Sequence, residues 1–179
     1  YPVEAGVLQV AGKDAKDFLH RMSTNDLLKL LPGKTTSTIL INDKARIIDV
    51  VRVIDKKEGL LLVTSVGANI TVHDWLNKFI IMEDIQITDL SDEFAILVLM
   101  GQRRLSYFQE LGLSIPDVPV GDGFVESTTP DGMQLWTTDD RWHWPVYNVL
   151  AQRDDIARIT RRVEEMSSPV DSDIFCLTD

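Results

Sequence analysis

The sequence predicts an α+β fold of mixed and antiparallel sheets with flanking helices. Three observations carry this. Runs of β-branched and aliphatic residues alternate along the chain with segments whose apolar residues recur at helical spacing. Turn-forming residues separate neighbouring β-like runs, so adjacent strands pair as hairpins. No repeat of fixed period and no low-complexity tract interrupts the mixture, which leaves helices and strands interleaved.

In chain order, Val7 to Val10 reads as a short strand ending at Ala11-Gly12. Ala15, Phe18, Leu19 and Met22 predict a helix over Lys13 to Met22. Ser23-Thr24-Asn25-Asp26 offers N-caps for a second short helix through Leu31, stopped by Pro32-Gly33. Thr35 to Ile41 and Ile47 to Ile54 form a hairpin about Asn42-Asp43-Lys44-Ala45, and Leu60 to Thr64 is a third strand after Lys57-Glu58-Gly59. Val72, Trp75, Leu76 and Phe79 predict the inward face of a helix over Val66 to Ile81. Ile85 to Thr88 and Phe94 to Met100 are strands, and Gly101 introduces a helix from Gln102 to Leu111.

The Pro- and Gly-rich stretch Ile115 to Gly121 predicts a break between a first subdomain, 1–114, and a second α+β subdomain, 115–179, expected to be incomplete. Within the second, Gly123 to Thr128 and Met133 to Thr138 form a hairpin about Pro130-Asp131-Gly132. Val146 to Ala151 is a strand. Asp154 to Met166 is a helix with Ile156, Ile159, Val163 and Met166 inward.

Composition bounds the function. The 179 residues carry 44% hydrophobic and 26% charged side chains, as ordinary globular proteins do. A net charge of −10 argues against a general nucleic-acid or anionic-membrane binder, because the summed field repels phosphate. No apolar run reaches the roughly 20 residues of a membrane helix. The single cysteine, Cys176, permits no intramolecular disulfide and fits a reducing, cytoplasmic setting. His20, His73 and His143 lack metal-ligand spacing. The opening Tyr1-Pro2-Val3-Glu4 is neither a signal peptide nor an initiator methionine, as expected of a chain that begins within a longer gene product or has lost disordered ends.

Charge is unevenly distributed. Between Lys29 and Lys57 stand seven basic residues and three acids, a local +4 that leaves −14 for the remainder. Such an island suits an anionic ligand or keeps an exposed hairpin soluble. Asp49 interrupts the run Ile47 to Ile54, and strict alternation puts it on a face with Ile47, Val51 and Val53. A buried carboxylate must be paired, neutral or open to a cavity. One reading is a salt bridge to Arg46 or another cation; the other is a binding or catalytic acid in a pocket wall. Trp136, Trp142, Trp144 and Tyr147, around Asp139-Asp140-Arg141, could stack on a planar heterocycle or simply fill a core.

The order of Val7-Leu8-Gln9-Val10-Ala11-Gly12-Lys13-Asp14-Ala15, Phe18-Leu19, Ser23-Thr24-Asn25-Asp26, Leu31-Pro32-Gly33-Lys34, Leu40-Ile41-Asn42 and Arg46-Ile47-Ile48-Asp49 resembles the opening of the tetrahydrofolate-binding aminomethyltransferase superfamily. Its members include the glycine cleavage T protein and the YgfZ-like folate-binding proteins linked to iron–sulfur enzymes. Leu97 to Gln102 is also similar to the family's apolar strand and glycine before a helix. The resemblance covers Val7 to Leu111 well and runs more loosely to Met166. It implies a T-protein-like folate-binding fold, here without the family's C-terminal barrel. It further implies a folate pocket lined by Ser37, Asp49, Val51, Thr64 and Trp142, with Asp49 as the catalytic acid that orients the substrate amine.

Several departures qualify what the resemblance implies. Ser37 and Thr64 stand where the transferase branch has a tyrosine and a folate-contacting asparagine. Thr138 to Pro145 replaces its Gly-Tyr-Thr-Gly-Glu segment and is closer in character to the YgfZ-like branch. The Lys-Gly-Cys-x-x-Gly-Gln-Glu motif of that second branch is not present. Two functions are therefore expected as alternatives. One is aminomethyl transfer to tetrahydrofolate, with a lipoyl-carrier protein as partner. The other is non-enzymatic folate binding in support of iron–sulfur proteins.

Overall fold

A computed structural model of the chain describes residues 2–56, 58–99, 123–129, 132–139 and 146–166. Among the described residues, ten strands form two five-stranded sheets. The strands are β1 (Pro2–Val3), β2 (Ala5–Ala11), β3 (Thr35–Ile41), β4 (Ile47–Lys56), β5 (Gly59–Val66), β6 (Gln86–Asp89), β7 (Phe94–Leu99), β8 (Phe124–Thr129), β9 (Gly132–Asp139) and β10 (Val146–Gln152). The α-helices among the described residues are α1 (Ala15–Arg21), α2 (Asn69–Asn77) and α3 (Arg153–Met166). The first sheet has the order β3-β4-β5-β2-β6, the second β1-β7-β10-β9-β8. All pairings between these strands are antiparallel. The α+β expectation holds, and no closed barrel forms among the described residues.

Alternation along each strand sorts the side chains into three buried layers. Leu8, Val10, Val51, Val53, Leu60 and Leu62 pack with Phe18 and Leu19 of α1 and Val72 and Leu76 of α2. The opposite face of that sheet, with Val7 and Ile54, meets Ile96, Leu135 and Leu150 of the second sheet. Beyond it, Ala95, Leu97, Val149 and Ala151 meet Ile156 and Ile159 of α3. The layers are thus helix, sheet, sheet, helix. The strands β1 and β7 pair into the same sheet as β8, β9 and β10.

The first hairpin forms where turn chemistry predicts it. Asn42 Oδ1 accepts the amides of Lys44 and Arg46, and Ala45 takes a positive φ of 55°. The expected second helix through Leu31 shrinks to a 3₁₀ turn, Leu27–Lys29. The polar groups read as its caps serve the edge of β3 instead: the Thr24 amide donates to Ile39 O, and Asn25 Nδ2 donates to Ser37 O and to Thr36 Oγ1. The helix over Val66 to Ile81 is confined to Asn69–Asn77. Phe79 lies beyond its end and is 46% exposed, edge-on to Trp75 at 5.4 Å, so it is not part of the inward stripe. The region around Gln102 to Gly121 and the stretch Ser167 to Asp179 lie outside the described residues.

Candidate functional site

Asp49 sits in β4 opposite Leu40 and shares the helix-covered face with Val51 and Val53. It is 6% exposed. The β4–β5 register runs from Lys56–Gly59 to Arg52–Val63. Past that point the carboxylate itself receives the neighbouring strand: the Ser65 amide donates to Oδ2 at 2.9 Å and the Ser65 hydroxyl to Oδ1 at 2.6 Å. The Val50 amide also donates to Oδ1, at 2.8 Å. Among the described residues no ion pair joins Asp49 to Arg46, so the salt-bridge reading gives way to a clamp of three accepted hydrogen bonds. A carboxylate can accept about four such bonds, and three neutral donors offset much of its burial.

The structure brings Asp49, Val51 and Thr64 to one face. Val51 is fully buried against the helices. Thr64 is 3% exposed, and its hydroxyl donates to Ser65 O. A Cβ on Gly6 would stand 2.4 Å from both Thr64 Oγ1 and Asn69 Cβ, so only glycine lets β2 pass this close to α2. Ser37 is not brought to that group. It is exposed, pairs with Arg52, and so lies on the opposite face of the sheet. Trp142 lies outside the described residues, as do Trp144, His143 and Cys176.

The face that carries Ser37 and Arg52 is the one turned toward the second sheet. A cavity of about 140 Å³ lies there, between the sheets, lined by Arg52, Ile54 and Val63 on one side and Ile96, Leu135, Thr137, Asn148 and Leu150 on the other. Its walls are aliphatic, with three polar side chains converging on it. Arg52 and Asn148 are half-buried and Thr137 is 3% exposed. No carboxylate lines it among the described residues, and Asp49 is not in its wall. A second cavity of similar volume lies along the same interface near Gln9, Lys56 and Glu126, where Lys56 pairs with Glu126 at 2.8 Å.

Sequence reasoning singled out Asp49 but missed Ser65, Thr137 and Asn148, and it met Arg52 only as part of the basic island. A signal existed for two of them. Ser65 is a polar residue closing an aliphatic strand, and Arg52 alternates out of phase with Asp49, which places the two on opposite faces. No group of three or more candidate metal ligands is found among the described residues. No helix there is long and apolar enough to cross a membrane.

A family model for the GCVT N-terminal domain matches residues 4–115. The aminomethyltransferase of Staphylococcus carnosus is 30% identical over 108 residues, covering 59% of this chain and 29% of that protein. The aminomethyltransferase of Bacillus pumilus is 33% identical over 97 residues, covering 54% and 27%. This chain thus spans under a third of these curated relatives. Among solved structures, the glycine cleavage system aminomethyltransferase T of Bartonella henselae superposes with a TM-score of 0.75 at 17% identity. That match covers 89% of this chain and 43% of that one. Heterotetrameric sarcosine oxidase from Corynebacterium sp. U-96 gives 0.56 at 14% identity, over 93% and 82%. At these identities the structural matches speak for the fold.

Proposed function

The chain belongs to the GCVT N-terminal domain family, and from that premise we propose that it binds a reduced folate in an aminomethyltransferase-like protein. The ring system is held in the cleft between the two sheets. The observation that carries this reading is the cavity at Arg52, Thr137 and Asn148, where aliphatic walls from both sheets can sandwich a flat ring. Asn148 offers both a donor and an acceptor, Thr137 a hydroxyl and Arg52 a cation, which together suit the amide-like edge and the negative charge of tetrahydrofolate. Ligand pockets commonly run to roughly 300–1,000 Å³. At about 140 Å³ this cavity takes one ring system and leaves the rest of the ligand to run outward.

Asp49 then acts as a positioning residue. Its clamp on Ser65 fixes β4 at Val50, on the same side of the strand as Arg52. The direct catalytic role that the resemblance implies requires the carboxylate to reach the ligand. Its burial on the helix face and its three accepted bonds favour positioning instead. When bound, tetrahydrofolate would supply the amine that receives the one-carbon unit, and a lipoyl-carrier protein would be the donor partner.

A second reading, folate binding without transfer, is favoured by one observation: no carboxylate lines the cleft cavity among the described residues. Iron–sulfur proteins would then be the partners. Titration of the full-length protein with tetrahydrofolate, followed by a one-carbon transfer assay with a lipoylated carrier, separates the two. Saturable binding with turnover supports transfer, and binding without turnover supports the second reading. Absence of saturable binding overturns both.

A further inference from the structure

The basic island is only partly used by the site above. Lys56 is paired with Glu126, and Arg52 lines the cleft. Lys29 and Lys34 line another cavity, of about 260 Å³, beside the 3₁₀ turn. Thr35, Thr36 and Asp26 complete its polar lining.

We infer that this cavity is a site for a small carboxylate or phosphate anion, held by Lys34 and Lys29 with the Thr36 hydroxyl. The frame around it is rigid. Gly33, at φ +82°, donates its amide to Asp55 O; the Lys34 amide donates to Leu31 O, and Lys34 O accepts from the Asp55 amide. Lys16 Nζ ties down the end of the turn by donating to Leu30 O and, at 2.8 Å, to Asp55 Oδ2. The root of Lys34 is thus fixed while its side chain stays exposed.

A further observation points to a ligand. Thr36 Oγ1 accepts from Asn25 Nδ2, which leaves its own O–H to donate. Asp26 opposes an anion, but it is engaged by Lys29 at 2.8 Å and faces His20 Nδ1 at 3.6 Å. The Lys29–Asp26 pair is exposed, and such a pair holds Lys29 only weakly, so the ammonium can turn to an entering anion.

The site adjoins the cleft. Thr35 lines this cavity and pairs with Ile54, which lines the cleft cavity, so wall residues of the two spaces are neighbours across one strand pair. The anion can therefore come from the carboxylate tail of a ligand whose ring occupies the cleft, or from free solution. The first source rests on the folate reading; the site itself does not.

The test uses inorganic phosphate and glutarate at low salt with the full-length protein, followed by NMR shifts of the Lys34 and Thr36 amides. Saturable shifts are expected. Lys34→Gln should weaken them by at least about fivefold, as loss of a charge-assisted hydrogen bond predicts, whereas Lys44→Gln on the exposed β3–β4 turn should not. If the source is a ligand tail, Lys34→Gln weakens tetrahydrofolate but not tetrahydropterin, which lacks the carboxylates. If the source is free anion, phosphate binds without competing with tetrahydrofolate. No shift with either probe, or equal shifts in Lys34→Gln, overturns the site. Because the phosphate arm involves no folate, failure of the folate reading leaves it intact.

Discussion

Ser65 donates twice to Asp49, through its amide to Oδ2 at 2.9 Å and through its hydroxyl to Oδ1 at 2.6 Å. One residue thereby engages both carboxylate oxygens at the place where the β4–β5 register stops. The acid that looks out of place in an aliphatic strand supplies a side-chain acceptor for the Ser65 amide where the backbone ladder ends. Asp49→Asn turns one oxygen into an NH₂ facing a donor. Asp49→Asn should cost about 1–3 kcal/mol of stability, the range for leaving a buried polar group unsatisfied, and Ser65→Ala, which keeps both amide donors, about 1 kcal/mol, the net contribution of one hydrogen bond. Urea denaturation measures it. A double variant no less stable than the worse single one would confirm that the two act as a unit.

Gly6→Ala is expected to cost about 1–3 kcal/mol by overpacking. The new methyl would stand 2.4 Å from Asn69 Cβ and Thr64 Oγ1, between β2 and the first turn of α2. Gly33→Ala meets no atom within 4 Å, so its cost comes only from the positive φ of 82°. Thermal melts of the two variants separate crowding from backbone strain, and Gly6→Ala should show the added loss of α2 packing in amide exchange.

Acid pH should loosen the turn that follows α2. Glu83 Oε2 accepts the amides of Ile81 and Met82, and Oε1 pairs with Arg21 at 3.0 Å. The Ile81 amide first, then the Arg21 guanidinium, lower the Glu83 carboxyl from its ordinary 4.5 to about 2. A lowered folded-state pKa means the contribution is fully present above about 4.5 and is lost as pH falls through about 2. The Ile81 and Met82 amide resonances should shift across that window. Glu83→Gln should flatten the response.

Local chemistry made much of the fold legible. The β3–β4 hairpin follows from Asn42 and from two runs of β-branched residues, and α3 from the spacing of Ile156 and Ile159. Pairings distant in sequence left no periodic trace. The strand β7 joins β10 through Leu97–Val149 and Ile96–Leu150, across about 50 residues, and this pairing closes the cleft. The oddness of Asp49 is visible because burying a carboxylate is costly; Ser65 stands out only as a polar residue in an aliphatic strand, and its pairing with Asp49, sixteen positions away, carries no spacing signal. Only the resemblance puts Ser37 in the pocket with Asp49. Strand alternation separates them, since Ser37 pairs with Arg52 and Leu40 with Asp49.

The cleft between the sheets is tested most directly by titrating the full-length protein with tetrahydrofolate and comparing Arg52→Ala with the unaltered chain by calorimetry. Saturable binding is expected for the unaltered protein, weakened at least about tenfold in Arg52→Ala, as loss of a charge-assisted contact predicts. Equal affinity in Arg52→Ala, or no saturable binding in either, would contradict it.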